Sequence, residues 1–297
     1  MRRLIALAAV TAAVPALALA APATAQSATT TAAPATAKPG NPVDALRLQF
    51  AKKSGVRVDE NTRMGIGKQD IFAFRETGSL RFGRSGVDAY DAKITLKGFD
   101  KDGDSTVRAI VVGGKMYLKS ALYDELLPAG RTWVRTSGKP STYSNGPIDL
   151  LKPNVLKAIL ATAKAKSPGG TVGGARTTLV RGSIPLSSLG KVSPMLSSIA
   201  KSKNGKKITV PWRMWIGADQ LPRRFQTTVK VPVSPSTGSS LGDVYIAADN
   251  RYTSWGAKIV ITAPPADLVV DEKDLTDELP VIPDLTTKIP GLPTREH

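Results

Sequence analysis

ITVPWRMWIGADQLPRRFQTTVKVPV, residues 208–233, is the stretch whose reading decides the fold. Its first part alternates with period two: Trp212, Met214 and Ile216 point one way, Arg213 and Trp215 the other. Successive side chains of an extended chain project from opposite faces, so this alternation marks a strand. GADQLP, residues 217–222, interrupts it with turn-favouring residues. Phe225, Val229 and Val231 then resume it on one face, with Gln226, Thr228 and Lys230 on the other. The stretch reads as a β-hairpin that is apolar on one side only. Such a side must be buried, against the protein's own helices or against a ligand.

Upstream of the hairpin, residues 185–203 carry Leu186, Leu189, Val192, Met195, Leu196 and Ile199 and read as helical, interrupted by Gly190 and Pro194. Residues 177–184 read as a strand. PIDLLKPNVLKAILATAKAK, residues 147–166, reads as a helical block divided by Pro153, with SPGG at 167–170 ending it. Earlier strands are expected at 71–74 and 78–82 around a turn near Glu76-Thr77-Gly78, and at 90–99. Others are expected at 107–112 and 115–119, joined by Gly113-Gly114, and at 132–136 around Trp133. A short amphipathic helix starts at Asn41-Pro42, buries Val43, Leu46, Phe50 and Ala51, and ends by Gly55. Residues 244–247 and 255–262 read as the last strands. The sum is α+β: one domain, residues 42–263, with a curved antiparallel sheet, a half-barrel, wrapped over helices inserted between its strands.

Residues 1–25 read as a signal peptide, with Arg2 and Arg3, an apolar run at 4–20, and a small-residue site at Ala23-Thr24-Ala25 that places cleavage after Ala25. Residues 26–41 are an Ala/Thr/Pro-rich linker read as disordered, and 264–297 a Pro-rich acidic tail. The expected location is secreted, extracellular or associated with the cell envelope. The sequence has no cysteine, which excludes disulfides and leaves no lipid-bearing cysteine after the cleavage site.

Formal net charge is +17, or +15 without Arg2 and Arg3; residues 267–297 carry −5, so the body at 26–266 carries +20. Such a body is drawn to polyanions, here an anionic membrane surface or a cell-wall polymer. Export makes nucleic acid an unexpected partner.

The only histidine is His297, which removes histidine-based acid/base and nucleophilic catalysis and, with no cysteine, leaves no basis for a zinc site. Asp100, Asp102 and Asp104 begin like a calcium loop, but Gly103 falls between the second and third acids and Val111 stands at the twelfth position. The acid pairs Asp59-Glu60 and Asp124-Glu125 read as solvated turn residues. No catalytic residue, cofactor or metal ligand is assigned.

KMYLK at 115–119 followed by GRTWVR at 130–135, and WIGADQLPRR at 215–224, resemble motifs of the LppX/LprG-type envelope lipoproteins, relatives of the LolA/LolB lipoprotein carriers. The resemblance covers most of residues 43–262. It implies a half-barrel over helices, with an apolar cavity between them that takes acyl chains. This chain departs from the pattern in lacking the lipidated cysteine. An acyl cavity needs surplus apolar wall, and the inward faces offer Phe72, Phe74, Leu80, Ile94, Leu96, Met116, Leu118, Trp212, Met214, Ile216 and Phe225. The other reading of these residues is an ordinary closed core. Arg81, Arg213, Arg223 and Arg224 are either simply exposed or placed near a cavity mouth. The expectation is a monomeric, non-enzymatic protein that binds a lipid or amphipathic molecule. The alternatives are a structural protein that grips a wall polymer through its basic surface, or an envelope stress-sensing module.

Overall fold

The computed structural model describes residues 39–100, 103–136, 143–144, 146–202, 205–232 and 243–275. Asn41 caps the first helix, α1 (Pro42–Ala51): its side chain accepts from the Asp44 amide at 3.0 Å, and Pro42 sits in the first turn, where a missing N–H costs nothing. An antiparallel meander follows: β1 (Gly55–Ile66), β2 (Gln69–Gly83), β3 (Gly86–Asp100), β4 (Gly103–Val112), β5 (Lys115–Ser120) and β6 (Trp133–Thr136). Gly113 and Gly114, at φ 60° and 78°, close the turn between β4 and β5, a conformation that suits glycine.

Helix α2 (Pro153–Leu160) leads into a second meander of β7 (Ala163–Val172), β8 (Ala175–Pro185), β9 (Thr209–Gly217), β10 (Pro222–Val231) and β11 (Val244–Ala257). The short helices α3 (Leu186–Leu189) and α4 (Ser197–Lys201) come between β8 and β9, and β12 (Val269–Asp271) comes last. All the strands form one large, curved, unclosed sheet in the order β12-β6-β5-β4-β3-β2-β1-β11-β10-β9-β8-β7. The two meanders join where β1 pairs with β11, and β12 against β6 is the parallel pair.

The expected hairpin is β9 and β10, with Phe225 opposite Met214 and Thr227 opposite Trp212. Its apolar side is covered. Leu46 and Phe50 of α1, Val155, Leu156 and Ile159 of α2, Leu186 and Leu189 of α3 and Ile199 of α4 join the inward side chains of both meanders in one continuous core.

The structure departs from the sequence reading in five places. Residues 71–74 and 78–82 belong to a single strand, β2, with no turn at Gly78. Glycine stands there because a Cβ would lie 2.6 Å from the Ala92 Cβ on β3. Residues 163–166, read as the end of a helix, start β7 instead. Pairing with β8 overrides the helix preference of Ala and Lys, and Pro168 is tolerated because β7 is an edge strand with an irregular register there. β1 begins at Gly55, ahead of the expected onset, and β11 runs unbroken to Ala257 where two strands were expected. Part of the stretch read as tail joins the sheet: Val269, Val270 and Asp271 pair with β6. The signal peptide, linker residues 26–38 and residues 276–297 lie outside the described residues.

The segment before β12 lies on the face away from the helices. There Ile261 joins Ala89, Ile110, Tyr117 and Trp133 in a second small core, with Leu268 and Val269 packed against it. The Thr132 N–H donates to the Leu268 carbonyl at 2.9 Å, and Arg135 forms a fork with Asp271. That hydrogen bond from Arg135 holds the Asp271 carboxyl below the usual carboxylate range.

Candidate functional site

All eleven candidate residues lie on the helix-facing side of the sheet, brought together from β2, β3, β5, β9 and β10. Phe74, Leu80, Leu96, Trp212, Met214, Ile216 and Phe225 are buried in the main core. Phe72, Ile94, Met116 and Leu118 pack against that core but stay partly exposed. The two groups separate by meander: every candidate on β9 and β10 is covered, and the partly open four are all on β2, β3 and β5. Trp212 is further fixed by its indole N–H, which donates to Thr162 Oγ1 at 3.0 Å.

The sequence reading missed a polar island within this apolar face. Glu60 on β1 stands opposite Glu76 on β2, and each is 1% exposed. Asp59-Glu60 is therefore no solvated turn: Asp59 faces outward and Glu60 inward on one strand. Ser144 Oγ donates to Glu60 Oε2 at 2.7 Å, and Tyr90 shares a hydrogen bond with Glu76. Burial raises the phenol of Tyr90 well above its ordinary pKa, and the Glu76 and Glu60 carboxylates push it further. Burial likewise raises Tyr252, with Glu60 adding to it. Asn250, opposite Glu60 on β11, is fully buried, and neither its amide nitrogen nor its oxygen has a hydrogen-bond partner among the described residues. The signal was present in the sequence: Val56, Val58, Glu60, Thr62 and Met64 share one period-two face. Among the described residues no group of three or more His, Cys, Asp or Glu gathers to hold a metal.

The opposite face, which carries none of the described α-helices, holds a trough of about 970 Å³. Its floor is a row across six strands, set by the register: Arg75 on β2, Asn61 on β1, Asp249 on β11, Gln226 on β10, Arg213 on β9 and Arg181 on β8. Arg63, Asp59, Arg251 and Thr228 flank the row. Arg224 forks onto Asp249, donating through Nε at 2.7 Å, while Gln226 donates to the same carboxylate at 3.1 Å. Burial raises the Asp249 pKa, but these hydrogen bonds and the charges of Arg224 and Arg251 outweigh it and hold the carboxyl below its usual range. Arg224 also lies over the Trp215 ring, 5.1 Å from its centroid. Of the eleven predicted residues, Trp212 alone contributes to the trough's lining.

An open, mostly antiparallel sheet with one face on helices defines an α+β fold. No family model matches the chain, and no curated protein matches it. Among solved structures it is similar to LprF from Mycobacterium bovis, at 16% identity over 75% of this chain and 96% of that one, with a TM-score of 0.44. It is also similar to a DUF1329 family protein from Desulfovibrio piger, at 11% identity over 75% of this chain and 95% of that one, with a TM-score of 0.24. Both likenesses are remote, and no ligand, site or activity passes from them to this chain.

Proposed function

We propose that the protein is a non-catalytic binding protein for a lipid or other amphipathic molecule, whose hydrocarbon part lies along the helix-facing side of β2, β3 and β5. The observation that carries this reading is the partial exposure of Phe72, Ile94, Met116 and Leu118 on a face that is otherwise buried. Helix α1 packs on β2 and α2 on β8, and the four side chains on β2, β3 and β5 keep part of their apolar surface in contact with water. Covering a side chain of this size fully contributes about 1.5–3 kcal/mol. A hydrocarbon chain laid on the four gains the part of that which folding leaves unused. Met116 adapts to chains of differing shape because its thioether is unbranched and polarisable. The hairpin motifs and the signal read at residues 1–25 support an envelope or secreted role for such a binder. Among the described residues no helix is long and apolar enough to cross a membrane.

The test is native mass spectrometry of protein purified from its own host, paired with titration of a fluorescent fatty-acid probe. A co-purifying lipid, or saturable uptake of the probe, is the expected result. Protein that carries no lipid and takes up no probe overturns the reading.

A further inference from the structure

We infer that the face away from the described helices is a second binding site, independent of the first, and that the arginine trough takes a polyol chain linked by phosphodiesters. Charge is the first argument. Five arginines (Arg63, Arg75, Arg181, Arg213, Arg251) line the trough against two aspartates, Asp59 and Asp249. Both aspartates are engaged by the protein itself: Arg75 forks onto Asp59 at 3.3 Å through both nitrogens, and Arg224 takes Asp249. Neither the Arg213 nor the Arg251 side chain makes an ion pair or hydrogen bond with another described residue. Arg251 stands opposite Asp59 and acts on Asp249 through space, but both carboxylates are already forked by other arginines, so two exposed guanidinium groups remain without a bonded counter-ion, and a guanidinium fork fits two oxygens of a phosphate.

Shape is the second argument. Ala247 stands on the outward face of β11, beside Arg63 on β1 and Thr228 on β10. A small side chain among long ones gives the sheet a floor where a solvated surface would show a filled array. Six strands at their usual spacing make that floor about 24 Å long, which suits a chain running across the strands.

The neutral groups choose among phosphate polymers. Asn61, Gln226 and Thr228 offer amides and a hydroxyl, partners for the hydroxyls of a polyol. Among the described residues the only aromatic in the lining is Trp212, which is 1% exposed. Trp215, on the same outward face, is half-buried with Arg224 over its ring, so the described lining offers a base no open ring, and stacking is what single-stranded nucleic acid needs from such a groove.

The experiment uses the full chain and four probes: poly(glycerol phosphate), polygalacturonate, a dT homopolymer and neutral dextran. The expected order places poly(glycerol phosphate) first and dextran at no binding, with affinity falling as salt is raised. Changing Arg213→Ala together with Arg251→Ala is expected to weaken the phosphate polymer by about tenfold or more. The control removes equal charge from the same face outside the trough, with Lys93→Ala and Lys119→Ala, and is expected to change affinity by less than about twofold. Circular dichroism checks that both variants keep the fold. Equal losses from the two pairs, or none from the arginine pair, overturn the site. Tighter binding of polygalacturonate overturns the phosphate assignment, and tighter binding of the dT homopolymer overturns the polyol. Fatty-acid uptake unchanged in the arginine variant separates this site from the one on the other face.

Discussion

On β1, Val56, Val58, Glu60, Thr62 and Met64 face the helices, while Arg57, Asp59, Asn61 and Arg63 face away. β10 repeats the division, with Phe225, Thr227, Val229 and Val231 inward and Arg224, Gln226, Thr228 and Lys230 outward. The same strands thus build two surfaces one residue out of step. The inner one is continuous and mostly buried, with a few polar groups gathered around Glu60 and Glu76. The outer one is cationic and open. The lesson is that a sheet in a basic protein need not spend its outer face on solvation alone: register can gather scattered arginines into one floor.

The strongest way to break this contrast is to shorten an inner side chain and its outer neighbour. Phe225→Ala removes a fully buried ring and is expected to cost about 3–5 kcal/mol in denaturant unfolding, whereas Gln226→Ala is expected to stay within about 0.5 kcal/mol. A similar loss from both would show that the faces do not differ in packing. Gly78→Val drives a branched side chain into Ala92 and the Asp91 carbonyl, which lie 2.6 and 2.8 Å from the place its Cβ would occupy; a loss of about 1–3 kcal/mol is expected, read as a lower midpoint at unchanged slope. Leu118→Asp, on the partly open part of the inner face, is expected to lower fatty-acid probe affinity by about tenfold or more while costing little stability, so uptake that survives it would remove β5 from the proposed seat.

Two smaller effects sharpen the comparison through pH. Tyr90 and Tyr252 have raised pKa values in the fold, from burial first and then from the neighbouring carboxylates. The unfolded chain ionises these phenols at about pH 10 and the fold keeps them protonated, so stability is expected to fall as pH rises above that value. Tyr90→Phe should flatten part of this decline in urea titrations run across the alkaline range. On the outer face the sign reverses. Asp249 has a lowered pKa, so its contribution is present above the unfolded value of about 4 and is lost as pH falls below it. Arg224→Ala should shrink that acid-side dependence, leaving the shares of Gln226 and Arg251, and, because the pair is half-exposed, cost under about 1 kcal/mol near neutrality.

Much of this was legible from the chain. Trp212, Met214, Ile216 and Phe225 announced their face because alternation is strict around them, and Asn41-Pro42 and Gly113-Gly114 carry their local geometry in their chemistry. Other features were not legible, for definite reasons. Gly78 signals a turn in isolation and a close strand approach only once Ala92 is opposite. AKAK at 163–166 prefers a helix until β8 supplies a partner. The trough needs the register of β1 and β2 against β8 to β11, segments more than a hundred residues apart in sequence, so no local pattern of Arg and Asn reveals it. Glu60 could have been placed inward by its strand's alternation, but its meeting with Glu76, Tyr90 and Asn250 could not.

The pairing of β12 with β6 has a further consequence. A row of unpaired amides and carbonyls at the end of a sheet invites a second molecule to add its own strand. At one end of this sheet the chain's own late segment fills that role, locked by Arg135 and Asp271; at the other, β7 presents Lys164, Lys166 and Pro168. Both ends are thus poor templates, one because β12 is only three residues long and the other through charge and a missing donor, and a chain cut before Val269 would uncover the edge of β6 that β12 now pairs.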